Sequence, residues 1–285
     1  MRGRWIVALG LLASACGGER PPQASAPASA PASSVRITDP TVTAGVTTAV
    51  AEVTHAVSSL PATSDGRPRL ALVIDDLGFR RDRIQQLLAL GLTMTYAVLP
   101  AEPRTAEVVA MLRSAGVPMI VHMPMQPRDY PRAQPGPCAL LLAEPATWAA
   151  TLRECAGRVP GAMGMNNHMG SALTEDAAAM RAVAAYLKER GWYFLDSVTS
   201  SGSVASDVMR AAAVPVIRRD VFLDDSRDEG QIAAQLQKAL LHAQRHGSAV
   251  AIGHPYPETL QVLGAARDRG DFAPLELVSA AALAR

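Results

Sequence analysis

The sequence predicts an α/β fold of parallel strands curled into a barrel, on three observations. From Arg69 onward, short β-rich runs alternate with segments of helical period, the pattern of repeated strand–helix units. Glycines follow the helical segments where a left-handed cap belongs. Polar, chemistry-bearing residues come directly after the strand candidates, as they do at the active face of a parallel barrel. Seven such units between residues 69 and 285 fit one barrel-like domain better than two smaller ones.

The strand candidates are Leu70–Ile74, Thr93–Leu99, Val117–Val121, Ala162–Met165, Trp192–Leu195, Val214–Ile217 and Ser248–Ile252. Between them lie apolar stripes at i, i+3, i+4 spacing, which places one face of a helix on a sheet. Ile84, Leu87 and Leu88 stop at Gly91; Met180, Val183, Ala184 and Leu187 stop at Gly191. Ile232, Leu236, Ala239, Leu240 and Ala243 stop at Gly247. Pro257 opens a further helix carrying Leu260 and Leu263, since proline suits a first helical turn.

Composition narrows the function classes. Of 285 residues 49% are hydrophobic, so a large core is available. Lys+Arg 27 against Asp+Glu 26 leaves a net charge of +1, which argues against nucleic acid as a partner. Three cysteines are too few for a disulfide scaffold; Cys138 and Cys155 suit a disulfide in an oxidising compartment, though spacing alone does not show proximity.

The N-terminal part reads as an export leader and a tether. Arg2 and Arg4 precede an apolar run from Trp5 to Leu12, too short to span a bilayer, and Ala13-Ser14-Ala15 forms a small-residue cleavage site. Residues 1–15 are thus expected to be a signal peptide. LASAC also resembles a lipobox, in which Cys16 is lipidated after the cut; ordinary cleavage breaks the same bond without lipid. With Gly17 next, the lipobox resemblance implies sorting to the outer membrane. Residues 16–68 read as a flexible Pro/Ala/Ser-rich tether, because Pro21–Ser34 holds only Pro, Gln, Ala and Ser. Thr41–Leu60 is more apolar and receives no assignment, and His55 receives no role. The expected location is the periplasm, with membrane contact only through lipid on Cys16.

The chemistry lies in the residues directly after the strands. Asp75-Asp76, His122, Asn166-Asn167-His168, Asp196-Ser197 and Gly253-His254 all sit at strand ends. Neighbouring residues leaving a strand point in different directions, so one of Asp75 and Asp76 can bind a metal while the other takes a proton. Two histidines and a carboxylate, with a fourth position for water, make a catalytic zinc set, which His122, His168 and one of the aspartates would supply. His254 lies in a loop stiffened by Pro255 and Pro257, as a general acid requires. Asn166, Asn167, Asp196, Ser197, Asp220 and Asp224 are expected to line the same mouth, with Asp196 orienting a histidine or binding substrate hydroxyls. Arg218, Arg219 and Asp220 read as an internal ion pair, and His242 and His246 as structural residues at a helix end. A magnesium-dependent phosphoryl hydrolase built on Asp75, Asp76, Asp196, Asp220 and Asp224 is a rival that leaves His122 and His168 without purpose.

These residues resemble the divergent polysaccharide deacetylase family, within the NodB-like carbohydrate esterase superfamily. The segments are LALVIDDLG (Leu70–Gly78), VHMPMQP (Val121–Pro127), GMNNHMGS (Gly164–Ser171), FLDSVTSSGSVA (Phe194–Ala205), RDVFLDD (Arg219–Asp225) and AIGHPYPET (Ala251–Thr259). The resemblance implies a distorted seven-stranded (β/α) barrel, a divalent metal such as zinc, and removal of acetyl groups from a polysaccharide or peptidoglycan-type sugar. Carried over, Asp75 is the base, Asp76 a metal ligand and His254 the acid. The superfamily's pair of histidines four apart on one loop is missing; His122 stands alone there, and His168 is the replacement. Asn167, Asp196, Ser197 and Asp220 are assigned to substrate or to supporting contacts. The alternative is a non-catalytic envelope lipoprotein that binds glycan or a partner protein through a metal-containing barrel.

Overall fold

The computed structural model describes residues 66–285. The leader, Cys16, Thr41–Leu60, His55 and nearly all of the tether lie outside these residues. Among the described residues no helix is long and apolar enough to cross a membrane.

Strands β1 (Arg69–Leu77), β2 (Thr95–Val98), β3 (Met119–Met125), β4 (Gly164–Met169), β5 (Tyr193–Asp196), β6 (Val216–Arg218), β7 (Val221–Phe222), β8 (Ser248–Gly253) and β9 (Glu276–Val278) form one sheet. All pairings are parallel, in the order β6-β5-β4-β3-β2-β1-β8-β7, with β9 beside the start of β1. Helices α1 (Arg81–Ala89), α2 (Thr105–Ser114), α3 (Trp148–Ala156), α4 (Ala177–Arg190), α5 (Ala205–Ala211), α6 (Glu229–His246) and α7 (Pro257–Arg269) alternate with the strands. The result is a curled parallel α/β half-barrel. Its two edge strands, β6 and β7, are successive stretches of chain separated only by Arg219 and Asp220. Counted as one interrupted strand, they reduce the path to the seven strands expected; β9 is the addition.

The helices form where the stripes predict. Ile84 and Leu87 of α1 are buried, as are Met180, Val183, Ala184 and Leu187 of α4 and the five stripe residues of α6. Gly191 and Gly247 take left-handed caps at φ 64° and 82°, a conformation that costs glycine nothing. Asp176 and Asp228 cap the starts of α4 and α6, each accepting a backbone N–H three residues on.

Alternation along the strands separates two apolar layers. Leu70, Leu72, Ile74, Val121, Met123, Met165 and Phe194 belong to the outer layer beneath the helices. Ala71, Val73, Ile120, Tyr193, Leu195, Ile217, Val250 and Ile252 fill the interior, and Val278, Ala280 and Leu283 near the C-terminus pack with them. The strands run further than their apolar cores suggest. β3 continues through His122 to Met125, and β4 continues through Asn166, Asn167 and His168 to Met169. The polar residues therefore occupy the ends of strands rather than loops beyond them.

Candidate active site

The interior columns of side chains turn from apolar to polar at one end of the barrel. Side chains two residues apart on a strand share a face. Val73 is thus followed by Asp75, Ile120 by His122, Leu195 by Ser197, and Ile252 by His254, and Asn166 and His168 are likewise two apart. This period brings residues from five strands together. Asp76 breaks the period yet joins them. Between Ile74 and Leu77 the register against β2 slips, so three steps of β1 match two of β2, and Asp76 takes φ 56°. The bulge swings its carboxylate back toward the interior.

Three donor atoms converge there. His122 Nε2 and His168 Nδ1 lie 3.2 and 2.9 Å from Asp76 Oδ1, and 3.1 Å from each other. Asp76 Oδ1 is buried and makes no aligned hydrogen bond among the described residues, although two ring nitrogens face it. Ligands at about 2.0–2.1 Å on a tetrahedral zinc stand roughly 3.3 Å apart, close to this triangle. Asp76, His122 and His168 therefore suit a divalent metal in both chemistry and spacing.

Asn166 ties the cluster together. It is buried, and its Nδ2 donates to Asp75 Oδ1 at 2.9 Å and to Ser197 Oγ at 3.2 Å. An ionised carboxylate only accepts, so the amide oxygen faces His122 Nδ1, 2.8 Å away. Nδ1 must then carry hydrogen, so Nε2 is the ring nitrogen whose lone pair can take a proton or a cation beside Asp76. His122 and Asn166 are cross-strand partners, which explains the contact.

Asp75 and His254 flank the triangle. Asp75 Oδ2 is 3.6 Å from His122 Nε2, and His254 Nε2 is 3.7 Å from Asp76 Oδ2. Asp224 fixes His254 by accepting its backbone N–H at 2.6 Å and its Nδ1–H at 2.9 Å, while Thr259 Oγ1 donates to the same carboxylate at 2.6 Å.

Burial pushes the Asp75 carboxyl above the usual range. Burial acts on Asp76 in the same direction, but His122 and His168 outweigh it and hold Asp76 well below that range. For His122 burial acts downward, and the charges of Asp75 and Asp76 more than offset it, so its pKa rises. Burial also lowers His254, yet the Asp224 hydrogen bond and charge push it up to about 9. The two carboxylates thus favour positive charge where the ring nitrogens meet, whether from protons or from a cation.

Other predicted residues go elsewhere. Asn167 falls out of the interior column; its amide donates to Met169 O at 2.7 Å and accepts from Ser197 N at 3.0 Å, bracing the β4 and β5 ends. Asp196 is also out of step: it is fully buried, accepts from Val198 N at 2.9 Å and Ser203 Oγ at 3.0 Å, and does not line the mouth. Asp220 is turned away as well, bonding Val250 N at 2.8 Å and facing His242 on α6 at 3.6 Å. Asp196 and Asp220 are thus corrections to the expected mouth lining, and the magnesium site that needed them is not assembled. Arg219 does not pair with Asp220; it donates to the carbonyls of Ser197 and Val198 at 2.7 and 2.9 Å. Asp224, expected only as lining, holds the acid candidate. Cys138 and Cys155 are joined in a disulfide.

Three residues at or near the ends of site strands are held in left-handed conformation without being glycine: Asp76 in β1, Met169 closing β4 and Val198 just past β5, at φ 56°, 52° and 51°. Each such residue costs about 1–3 kcal/mol, which the hydrogen bonds around the site offset.

A family model for divergent polysaccharide deacetylases matches residues 72–284, a span that holds every one of these site residues. The chain belongs to the divergent polysaccharide deacetylase family. Among curated proteins it is 39% identical to the uncharacterized protein YibQ of Escherichia coli over 197 residues, covering 68% of this chain and 61% of that relative. It thus spans about three fifths of that protein's length. An uncharacterized protein of Haemophilus influenzae is 36% identical over 202 residues, covering 71% of this chain and 72% of its own. Among solved structures, an uncharacterized protein of Agrobacterium tumefaciens superposes with a TM-score of 0.72 at 23% identity. That match covers 78% of this chain and 92% of that one, and it shows a shared fold.

Proposed function

We propose that this protein is a metal-dependent hydrolase of the cell envelope that removes acetyl groups from a polysaccharide or peptidoglycan-type sugar. The observation that carries this reading is the triangle of Asp76 Oδ1, His122 Nε2 and His168 Nδ1, with Asp75 beside His122 and His254 beside Asp76. Asp76, His122 and His168 would hold zinc. When bound, such an ion polarises a carbonyl and lowers the pKa of water toward about 7.

The chain's own groups then divide the protons. Asp75, oriented by Asn166, accepts one from the water that adds to the acetyl carbonyl. His254, held by Asp224, donates one to the leaving nitrogen or oxygen as its bond to the acetyl carbon breaks. Acetate and a free amine or hydroxyl result, and the protons balance.

We also infer export to the periplasm. The leader pattern of residues 1–15 supports this, as does the Cys138–Cys155 disulfide, a bond that persists in oxidising compartments. Lipidation at Cys16 would add an outer-membrane anchor.

Replacing His122 with alanine tests the mechanism. Metal analysis should show loss of the bound ion, and acetate release from acetylated glycans should vanish with it. Unchanged acetate release by His122→Ala would overturn the mechanism. Bound metal and glycan affinity without any turnover in the parent protein would instead favour the non-catalytic alternative.

A further inference from the structure

A cleft of about 400 Å³ opens directly beside Asp76. Its lining includes Phe79 and Arg80 from the segment leaving β1, Arg83 from the first turn of α1, the proline-flanked Tyr256, and Arg227 from the loop after β7. Phe79 is half exposed, one of three large hydrophobic side chains so exposed among the described residues. An aromatic ring open to a cleft suits the apolar face of a sugar ring. Tyr256 is fixed between the Arg227 guanidinium, 4.6 Å from its ring centre, and the His254 ring at 5.3 Å.

The three arginines are the unexpected feature, because the chain as a whole carries a net charge of only +1. Arg80 is held from behind by Asp82 through Nε and Nη2, at 3.0 and 2.5 Å. Arg227 is held by Glu258 through Nη2 alone, at 2.9 and 2.8 Å. Arg83 bonds only the neutral Gln86, at 2.7 Å, among its hydrogen bonds in the described residues. The lining thus holds three guanidiniums and a single acid, Asp76, which is committed to the imidazoles; Asp82 and Glu258 stand outside the lining. Two guanidiniums are braced by carboxylates, and the third, Arg83, has no carboxylate of its own but shares the fields of Asp82 and Glu258; with one more guanidinium than these acids, the cleft favours an anion.

We propose that this cleft is a subsite for an acidic sugar, so that the substrate is an acetylated glycan carrying a carboxylate close to the acetyl group. The proposal rests on the deacetylase reading for the position of that acetyl group and adds the charge of its neighbour. The carboxylate has two chemical sources, an ether-linked acid as on N-acetylmuramic acid or a ring carboxylate as on a uronic acid.

Calorimetric affinities of the full, metal-loaded chain test this on four oligomers of equal length: neutral N-acetylglucosamine, a muramic acid-containing oligomer, its carboxyl-amidated form, and an acetylated uronate. At least one acidic oligomer should bind about tenfold tighter than the neutral and amidated ones, the scale of one charge-assisted hydrogen bond. The preferred acid identifies the source. Arg83→Ala should remove most of that preference, and Arg83→Glu should reverse it. Both variants alter a surface side chain and should keep the parent's thermal midpoint. Equal affinity for all four oligomers, or a preference that survives Arg83→Glu, overturns the subsite and leaves the His122 result untouched. Preferential binding without acetate release keeps the subsite and sinks the hydrolase reading.

Discussion

At the residue scale, Asn166 does more for the site than any side chain outside the metal triangle. One amide sets the tautomer of His122 and the orientation of Asp75, so it couples the proposed metal ligand to the proposed proton acceptor. Outer contacts of this kind are worth roughly 10–100-fold in metal affinity. Asn166→Ala should therefore weaken zinc binding by about that factor in a chelator competition and depress acetate release. Asn166→Asp should do worse, because it places a third carboxylate against Asp75. Zinc affinity unchanged in both variants would show that His122 holds its geometry by packing alone. In the sequence this residue stands next to two more conspicuous ones, Asn167 and His168. What separates it from Asn167 is parity: Asn166 and His168 lie in the interior column and Asn167 does not.

At the element scale, the strands do most of the positioning, and each ends in a different device. β1 ends in a bulge that lets adjacent aspartates reach one site; β4 ends in a left-handed residue, Met169, braced by Asn167, and β5 is followed by another, Val198, braced by Asp196. The long connection from β3 to α3 is irregular but tied down. Leu140 bridges to Met125, the Gln126 side chain accepts Leu142 N at 2.8 Å, and Cys138 is bonded to Cys155 on α3. That disulfide closes a loop with a sequence separation of 17, worth about 3 kcal/mol on the chain-entropy account. Cys138→Ser should lower unfolding stability by roughly that amount in urea titration, with the metal triangle intact. A stability equal to the parent's would show that hydrogen bonds alone secure the connection. The apolar runs in the sequence marked the cores of these strands but ended early at Val121 and Met165, because hydrophobicity stops where the site begins while backbone pairing continues.

For the whole molecule, the site is a junction of distant chain segments. Asp76, His122, His168 and His254 meet only when the barrel has formed, so a metal held there binds the native state alone. Zinc should therefore raise the thermal midpoint of the parent as the logarithm of its concentration grows, adding about 2.7 kcal/mol of unfolding free energy at a hundredfold excess over its dissociation constant. A chelator should reverse the shift, and His122→Ala should show none. An equal shift in the variant would place the ion elsewhere. The sequence by itself determined the parallel α/β class, the helix stripes with their glycine stops, and the set from which the site is drawn, because period and residue type are local properties. Only the tertiary structure decided which of the adjacent polar residues face inward, that Asp76 returns through a bulge, that Asp196 and Asp220 turn away, and that Cys138 reaches Cys155. Those outcomes depend on strand register and on how far pairing runs past the apolar core, which neighbouring strands set together.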